Sequence, residues 1–282
     1  MREPLIDQRL VEHRKHLINA RGLSGWPTDT SEDLLQIKRI GLWLKALKEP
    51  TVVQHPYLPL SMRVDSAFPP RLAYYFLVGD YEQSDLELIS EHVVPGDRVL
   101  ELGGGVGVTA SWAARCSGQA IVVVEPNRVL HGQIAVNIAL NGQAGRVVDG
   151  MAVSDAHTTE SITLGIHEDF WWSGAQRVDQ FIKQVECKAL KISELLAHHK
   201  PSVLVVDIEG LETTLFPCRL NPELRLILVE IHTPDIGDRS TVEVINAISE
   251  MGLKLSRVRA HSWLFRRETR EVLSGRSSGA DE

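Results

Sequence analysis

Cysteine is scarce in this chain. Cys116, Cys187 and Cys218 are three in 282 residues, too few and too widely spaced for a disulfide framework, and no Cys-x-x-Cys pair or Cys/His ligand spacing accompanies them. They read as reduced thiols, and the expected compartment is the cytoplasm. Long apolar runs are missing too: no window reaches the length of a membrane span, and Met1 to Arg9 carry charges where a signal sequence needs an apolar core. The chain is therefore expected not to insert stably into a membrane. Nor is there an excess of basic residues, since 30 Lys and Arg stand against 37 Asp and Glu for a formal charge of -7. That balance argues against a broad nucleic-acid footprint. The composition that remains, 43% hydrophobic and 24% charged, is that of an ordinary globular protein.

Along the chain, Leu5, Ile6, Leu10, Val11 and Leu17 share a helical face, and a second apolar helix follows N-cap residues at Asp29 to Asp33. Trp43 and its leucine neighbours are expected to pack on the main domain or on a second subunit, so a homo-oligomer stays open. Pro50, Pro56, Pro59, Pro69 and Pro70 then suggest an extended connection. From Arg98 onward, strands alternate with helices: Arg98 to Leu102, Ala120 to Asn127, Arg146 to Val153, Pro201 to Gly210 and Leu224 to His232. Their nearly unbroken apolar character suits strands buried on both faces. The expected fold is α/β, a doubly wound, mostly parallel Rossmann-like sheet. It carries an N-terminal helical appendage at 1–70, the main domain at 71–273 and a flexible tail at 274–282.

Ligands of such sheets bind beyond the carboxyl ends of the strands. The first of those ends is Glu101-Leu-Gly-Gly-Gly-Val-Gly107, where glycine at alternate positions lets a ligand approach bare backbone. The next strand ends at Glu125, about 20 residues further on, the separation at which an acid reaches ribose hydroxyls. Together they point to an adenosine cofactor. A dinucleotide fingerprint counted from Gly103 needs glycine where Val108 stands, and no Gly-Lys-Ser/Thr follows Gly105 to cradle ATP phosphates. S-adenosylmethionine, a cation without phosphate, suits a loop that has Glu101 and no basic residue.

Glu101 to Gly107, the strand-end Glu125, Ala152-Val-Ser154, Val205-Val-Asp-Ile-Glu-Gly-Leu-Glu212 and Val229-Glu-Ile-His232 resemble the successive motifs of the FkbM-type methyltransferases. The resemblance covers roughly Tyr81 to Arg267. It implies a class I S-adenosylmethionine-dependent enzyme that methylates a hydroxyl of a sugar or small metabolite. It assigns the methionine part of the cofactor to Glu101, Gly103, Gly104, Gly105 and Gly107, the ribose to Glu125 with Pro126 and Asn127, and the adenine to the surroundings of Met151 and Ala152. The chain departs from the family pattern in having Glu101 for Asp, Gly104-Gly105 for Ala-Asn, and no lysine before Asp207. An NAD(P)-dependent oxidoreductase and a noncatalytic cofactor-binding module are the competing readings. A nucleic-acid methylase is disfavoured, because Asn-Pro-Pro-Tyr is missing.

On the acceptor side, Asp207 and Glu209 point the same way if the strand persists, with His232 at the end of the neighbouring strand. Three readings stay open. His232 is a general base with Asp207 or Glu209 orienting the acceptor; the three residues bind a divalent cation; or they cap neighbouring helices. Phe170, Trp171 and Trp172 either cover the acceptor or form a satellite hydrophobic cluster. His198 and His199 read as solvated, and His13 and His16 bind metal only if further ligands converge.

Overall fold

The computed structural model describes residues 6, 8–20, 29–167, 173, 181 and 183–267. Phe170, Trp171, Trp172 and the tail at 274–282 lie outside the described residues. The central sheet has seven strands in the order β11-β12-β10-β9-β3-β4-β5. These are β3 (Val99–Leu102), β4 (Ile121–Glu125), β5 (Gly145–Asp149), β9 (Val203–Val206), β10 (Leu226–Glu230), β11 (Leu253–Arg259) and β12 (Ser262–Arg267). The run from β5 to β10 is parallel, and β12 and β11 close the sheet antiparallel. The chain leaves β3 towards β4 on one side and returns to β9 on the other, so the switch point lies between β3 and β9. A crevice at their carboxyl ends is the usual consequence.

All four residues of β3 and of β9 are buried. Alternate side chains serve opposite faces: Val203 and Val205 join one apolar cluster, Leu204 and Val206 the other. Fully burying each such side chain contributes ~1.5–3 kcal/mol, which is why these short runs form strands without an alternating pattern. The second face is covered by α7 (Ile192–His199), α8 (Glu212–Leu215) and α9 (Thr233–Glu250). The first is covered by α4 (Gln83–His92), α5 (Val108–Ser117) and α6 (Arg128–Leu140), and the same cluster takes in α1 (Gln8–Ala20), α2 (Ser31–Lys45) and α3 (Pro70–Val78). Trp43 packs against this cluster.

The proline-rich segment is more regular than an extended connection. Residues Thr51–Gln54 (β1) and Ser61–Val64 (β2) pair as an antiparallel hairpin. No proline falls inside either strand; Pro56 and Pro59 occupy the loop between them. The hairpin docks on α6, where Asn137 Oδ1 accepts from Arg63 N at 2.9 Å and Asn141 exchanges two 2.8 Å hydrogen bonds with the Ser61 backbone. The strand expected over Arg146 to Val153 is also divided. Gly150, at φ +144, breaks it, so that β6 (Met151–Val153) leaves the main sheet and joins β8 (Lys183–Lys191) and β7 (Ser161–Ile166).

α1 and α2 are fastened by a buried cation. Arg14, 1% exposed, donates to Asp80 and Asp33 at 3.1 Å each and pairs with Asp29 at 3.6 Å. Asp33 also accepts from the Tyr74 hydroxyl and from Thr30 N, closing a capping box at the start of α2. Removing one partner of such a buried set leaves uncompensated charge and costs ~3–5 kcal/mol. Cys116, Cys187 and Cys218 are free thiols. His198 is exposed, and neither it, His199, His13 nor His16 joins a ligand cluster among the described residues.

Candidate active site

The glycine loop has one open side. A Cβ on Gly103 (φ +86) would stand 1.7 Å from the Asp207 carbonyl oxygen, one on Gly104 would stand 2.4 Å from Val123 Cγ1, and one on Gly107 would stand 2.9 Å from Ile134 Cα. These three glycines serve close packing within the protein. Gly105, at φ +49, is different: among the described residues the one atom within 4 Å of its missing Cβ is the Tyr81 hydroxyl, at 3.2 Å. The bare backbone expected from the motif is therefore presented at Gly105.

Two carboxylates hold this loop from within. Glu125 accepts from Gly104 N at 2.9 Å and from Asn127 N at 2.7 Å, so it fixes the loop to the end of β4. Burial pushes its carboxyl up to about 7 against the pull of those backbone donors. Glu101 accepts from the Thr109 hydroxyl through Oε1, while its Oε2 is buried without a hydrogen-bond partner among the described residues. Burial, with the charges of Asp207, Asp85 and Glu125, raises it to about 8 even though Thr109 works the other way. Asn127 caps α6 by accepting from Val129 N at 3.2 Å, and the Pro126 carbonyl accepts from the Cys187 thiol at 3.6 Å. Met151 and Ala152 are buried in β6, Met151 among Leu164, Cys187 and Leu211.

Across the switch point, acids surround one imidazole. His232 Nδ1 contacts Glu212 Oε1 at 2.6 Å, and Nε2 faces Glu209 at 3.4 Å, Asp207 at 3.8 Å and Glu230 at 3.9 Å. Asp207 and Glu209 do converge, yet strand alternation is not the cause. β9 ends at Val206, and Glu209 takes a left-handed φ of +45 in the turn that follows, which brings its carboxylate back beside Asp207. Burial disfavours charge on His232, but the Glu212 hydrogen bond and the charges of Glu230, Glu209 and Asp207 outweigh it and hold its pKa well above 6.5. The ring is thus an imidazolium at neutral pH. Asp207 rises to about 6, chiefly through burial, with His232 restraining the shift. Its Oδ1 is sealed from solvent without a hydrogen-bond partner among the described residues.

Three further residues complete the wall; the sequence pattern marked Glu230 as a strand end but not Glu82 or Asp85. Glu82, Asp85 and Glu230 bring carboxylate oxygens within 4.8 Å of one another, as do the ligand atoms of Asp207, Glu209 and His232. Burial and mutual repulsion raise Glu82 and Glu230 well above the ordinary range and Asp85 to about 7, although Ser262 donates to Asp85 at 2.8 Å. Burial first, and then the charges of Glu82, Asp207 and Glu230, raise the Tyr81 hydroxyl well above its ordinary value, so it stays protonated. One signal was available: Asp85 shares a helical face with Leu88 and Ile89, where a core residue is expected.

The family model described as the methyltransferase FkbM domain matches residues 101–255. The chain belongs to the FkbM methyltransferase family. Its FkbM domain begins at Glu101, so Tyr81, Glu82 and Asp85 lie ahead of the matched segment. Among curated proteins, the ribosomal protein L11 methyltransferase of Thermus thermophilus is 34% identical over 128 residues, 44% of this chain. The match takes in 49% of that protein, so the chain spans about half the length of this curated relative. Among solved structures, fibrillarin of Aeropyrum pernix with natively bound S-adenosyl-L-methionine aligns at TM-score 0.40 and 15% identity, over 65% of this chain and 74% of that one. A methyltransferase of Pyrococcus furiosus aligns at 0.39 and 13% identity, over 85% and 100%. The doubly wound fold of this FkbM protein is evident from its own strand order. No helix among its described residues is long and apolar enough to cross a membrane.

Proposed function

We propose that this chain binds S-adenosylmethionine at the β3–β4 end and methylates a hydroxyl of a sugar or other small metabolite at the β9–β10 end. The observation that carries the reading is Glu101 Oε2, buried and without a partner among the described residues, on the strand that runs into the glycine loop where Gly105 presents open backbone. An orphaned acidic oxygen beside open backbone fits a ligand that brings both a cation and hydrogen-bonding groups. Glu101 with Gly103 to Gly107 would hold the methionine part. Glu125 to Asn127 would serve the ribose, and the backbone around Met151 and Ala152 the adenine. When bound, this cofactor supplies a methyl group already activated by its sulfonium, so the protein has to position an acceptor and take its proton.

Asp207 is the group suited to take that proton. It titrates near about 6 and has an unpartnered oxygen. His232, for which a general base was one of three readings, is better suited to a fixed positive charge: Glu212 orients it, and it faces Asp207 and Glu209. Calorimetric titration with S-adenosylhomocysteine and with NAD tests the cofactor assignment. Binding of the first and not the second is the expected result, and the reverse sinks it. Labelled cofactor offered with a metabolite or glycan extract would then identify the acceptor.

A divalent cation is the second reading. It is favoured by the convergence of Asp207, Glu209 and His232 and by the contact of His232 Nδ1 with Glu212, an outer partner of the kind that orients metal-bound imidazoles. Three such ligands would hold the ion, which supplies Lewis acidity towards the acceptor oxygen.

A further inference from the structure

Tyr81 lies outside residues 101–255, yet it is the residue that reaches the open side of Gly105. Its hydroxyl also lies in the field of the Glu82, Asp207 and Glu230 carboxylates. It therefore stands between the glycine loop and the acceptor-side acids. The backbone that places it there is constrained on both sides. Gly79, at φ +77, ends α3; Asp80 N and Tyr81 N return to the Tyr75 carbonyl at 2.8 and 3.2 Å; and Glu82 takes φ +53, a left-handed conformation rare outside glycine. Strain of that kind persists where surrounding contacts over-determine it, and it concentrates at ligand sites.

One of those contacts comes from α1, 66 positions away. Asp80, fully buried, is bound by Arg14 Nε at 3.1 Å, and the same guanidinium holds Asp33 at the start of α2. One cation from α1 thus fixes the residue immediately before Tyr81 and the helix packed behind it. A planar fork can do this and a flexible ammonium cannot.

Building on the S-adenosylmethionine reading, we propose that Tyr81 is a cofactor-contacting residue and that Arg14, acting through Asp80, is the positioning residue that holds it over Gly105. The N-terminal helices are then a wall of the transfer site and not an attachment to it. Glu82, carried by the same turn, places its carboxylate with Asp85 and Glu230 on the acceptor side.

The test uses the full chain, S-adenosylhomocysteine as the probe, calorimetry and thermal unfolding. Tyr81→Ala should weaken binding by ~10-fold or more while moving the unfolding midpoint by less than ~2 °C. Tyr81→Phe, which keeps the ring, should lose about threefold. Asp80→Asn should also weaken the probe, and the Asp80→Asn/Tyr81→Ala double variant should bind no more weakly than Tyr81→Ala alone, because both act through one side chain. Arg14→Lys repeats the Asp80 arm with the charge retained, should Asp80→Asn fail to fold. Unchanged binding by Tyr81→Ala overturns the proposal, and additive losses in the double variant overturn the role of Arg14 and Asp80. A wild-type chain that ignores the probe removes the cofactor reading itself, and this inference with it; wild-type binding that survives Tyr81→Ala removes this inference alone.

Discussion

Replacing Glu101 with glutamine should strengthen the fold and weaken the cofactor site, and pH separates the two effects. Burial and neighbouring acids lift the Glu101 carboxyl from 4.5 to about 8. An acid whose folded pKa lies above its unfolded one binds more protons when folded, so the native state loses stability as pH rises from the unfolded value through the folded one. Each pH unit in that window corresponds to ~1.4 kcal/mol. Between about pH 5 and pH 7, ionisation of this one group therefore costs the fold ~3 kcal/mol, and an amide of the same shape does not incur that loss. Urea unfolding of both chains at about pH 5, 6 and 7 measures the effect through the midpoints at constant slope. The advantage of Glu101→Gln should be small at the acid end and grow by ~1.4 kcal/mol per unit. Parallel pH dependences would refute the claim that Glu101 is a buried, unpaired acid. In the same preparations, S-adenosylhomocysteine should bind the variant at least ~10-fold more weakly, because an amide cannot give up the proton that Glu101 loses when a ligand's cation pairs with its orphaned oxygen.

The glycines should separate by role. Gly103→Ala drives a Cβ into the Asp207 carbonyl and should lower stability by ~3 kcal/mol or more, whereas Gly105→Ala should cost only ~1 kcal/mol yet weaken the homocysteine ligand, as melting and calorimetry would register. Once an acceptor is in hand, turnover should rise with pH as Asp207 loses its proton near about 6, and a flat profile between about pH 5 and pH 7 removes it as the base. His232→Gln should leave S-adenosylhomocysteine affinity within about threefold while reducing turnover ~100-fold; full activity would take His232 out of the site. If a cation occupies Asp207, Glu209 and His232, EDTA should abolish turnover and a single metal should restore it, while indifference to EDTA leaves the proton-transfer reading alone.

What the sequence disclosed depends on how locally each feature is encoded. β3, β9 and β10 were legible because strands buried on both faces must be apolar at every position. Their polar ends, Glu101, Asp207, Glu230 and His232, stood out against those runs. The convergence of Glu209 with Asp207 was anticipated for the wrong reason, since a left-handed turn achieves what strand alternation was expected to do. Tyr81 and Glu82 were not legible. They gain their place from a contact between Arg14 and Asp80, which are 66 positions apart, and no periodicity records such a pair. Glu125 showed its position but not its bonding, because hydrogen bonds to Gly104 and Asn127 depend on how the loop folds back. The β1–β2 hairpin escaped notice because proline content masked two four-residue strands free of proline.

The switch point between β3 and β9 has a consequence for how the chain is made. Arg98 and Ser202 hydrogen-bond as neighbours although 104 positions separate them. During synthesis, β3 can pair with β4 as soon as both have left the ribosome, but its other edge stays bare until β9 follows. For that interval the nascent chain displays Val99 to Leu102, buried throughout in the finished fold, as an open strand edge. Long-range parallel pairing of this kind is slow and leaves folding intermediates prone to aggregation. Slowing translation upstream of β9, or truncating the chain before it, should therefore send the protein into the insoluble fraction. Recovery in soluble form should depend more on chaperone supply while β9 is awaited than on the stability of the finished enzyme.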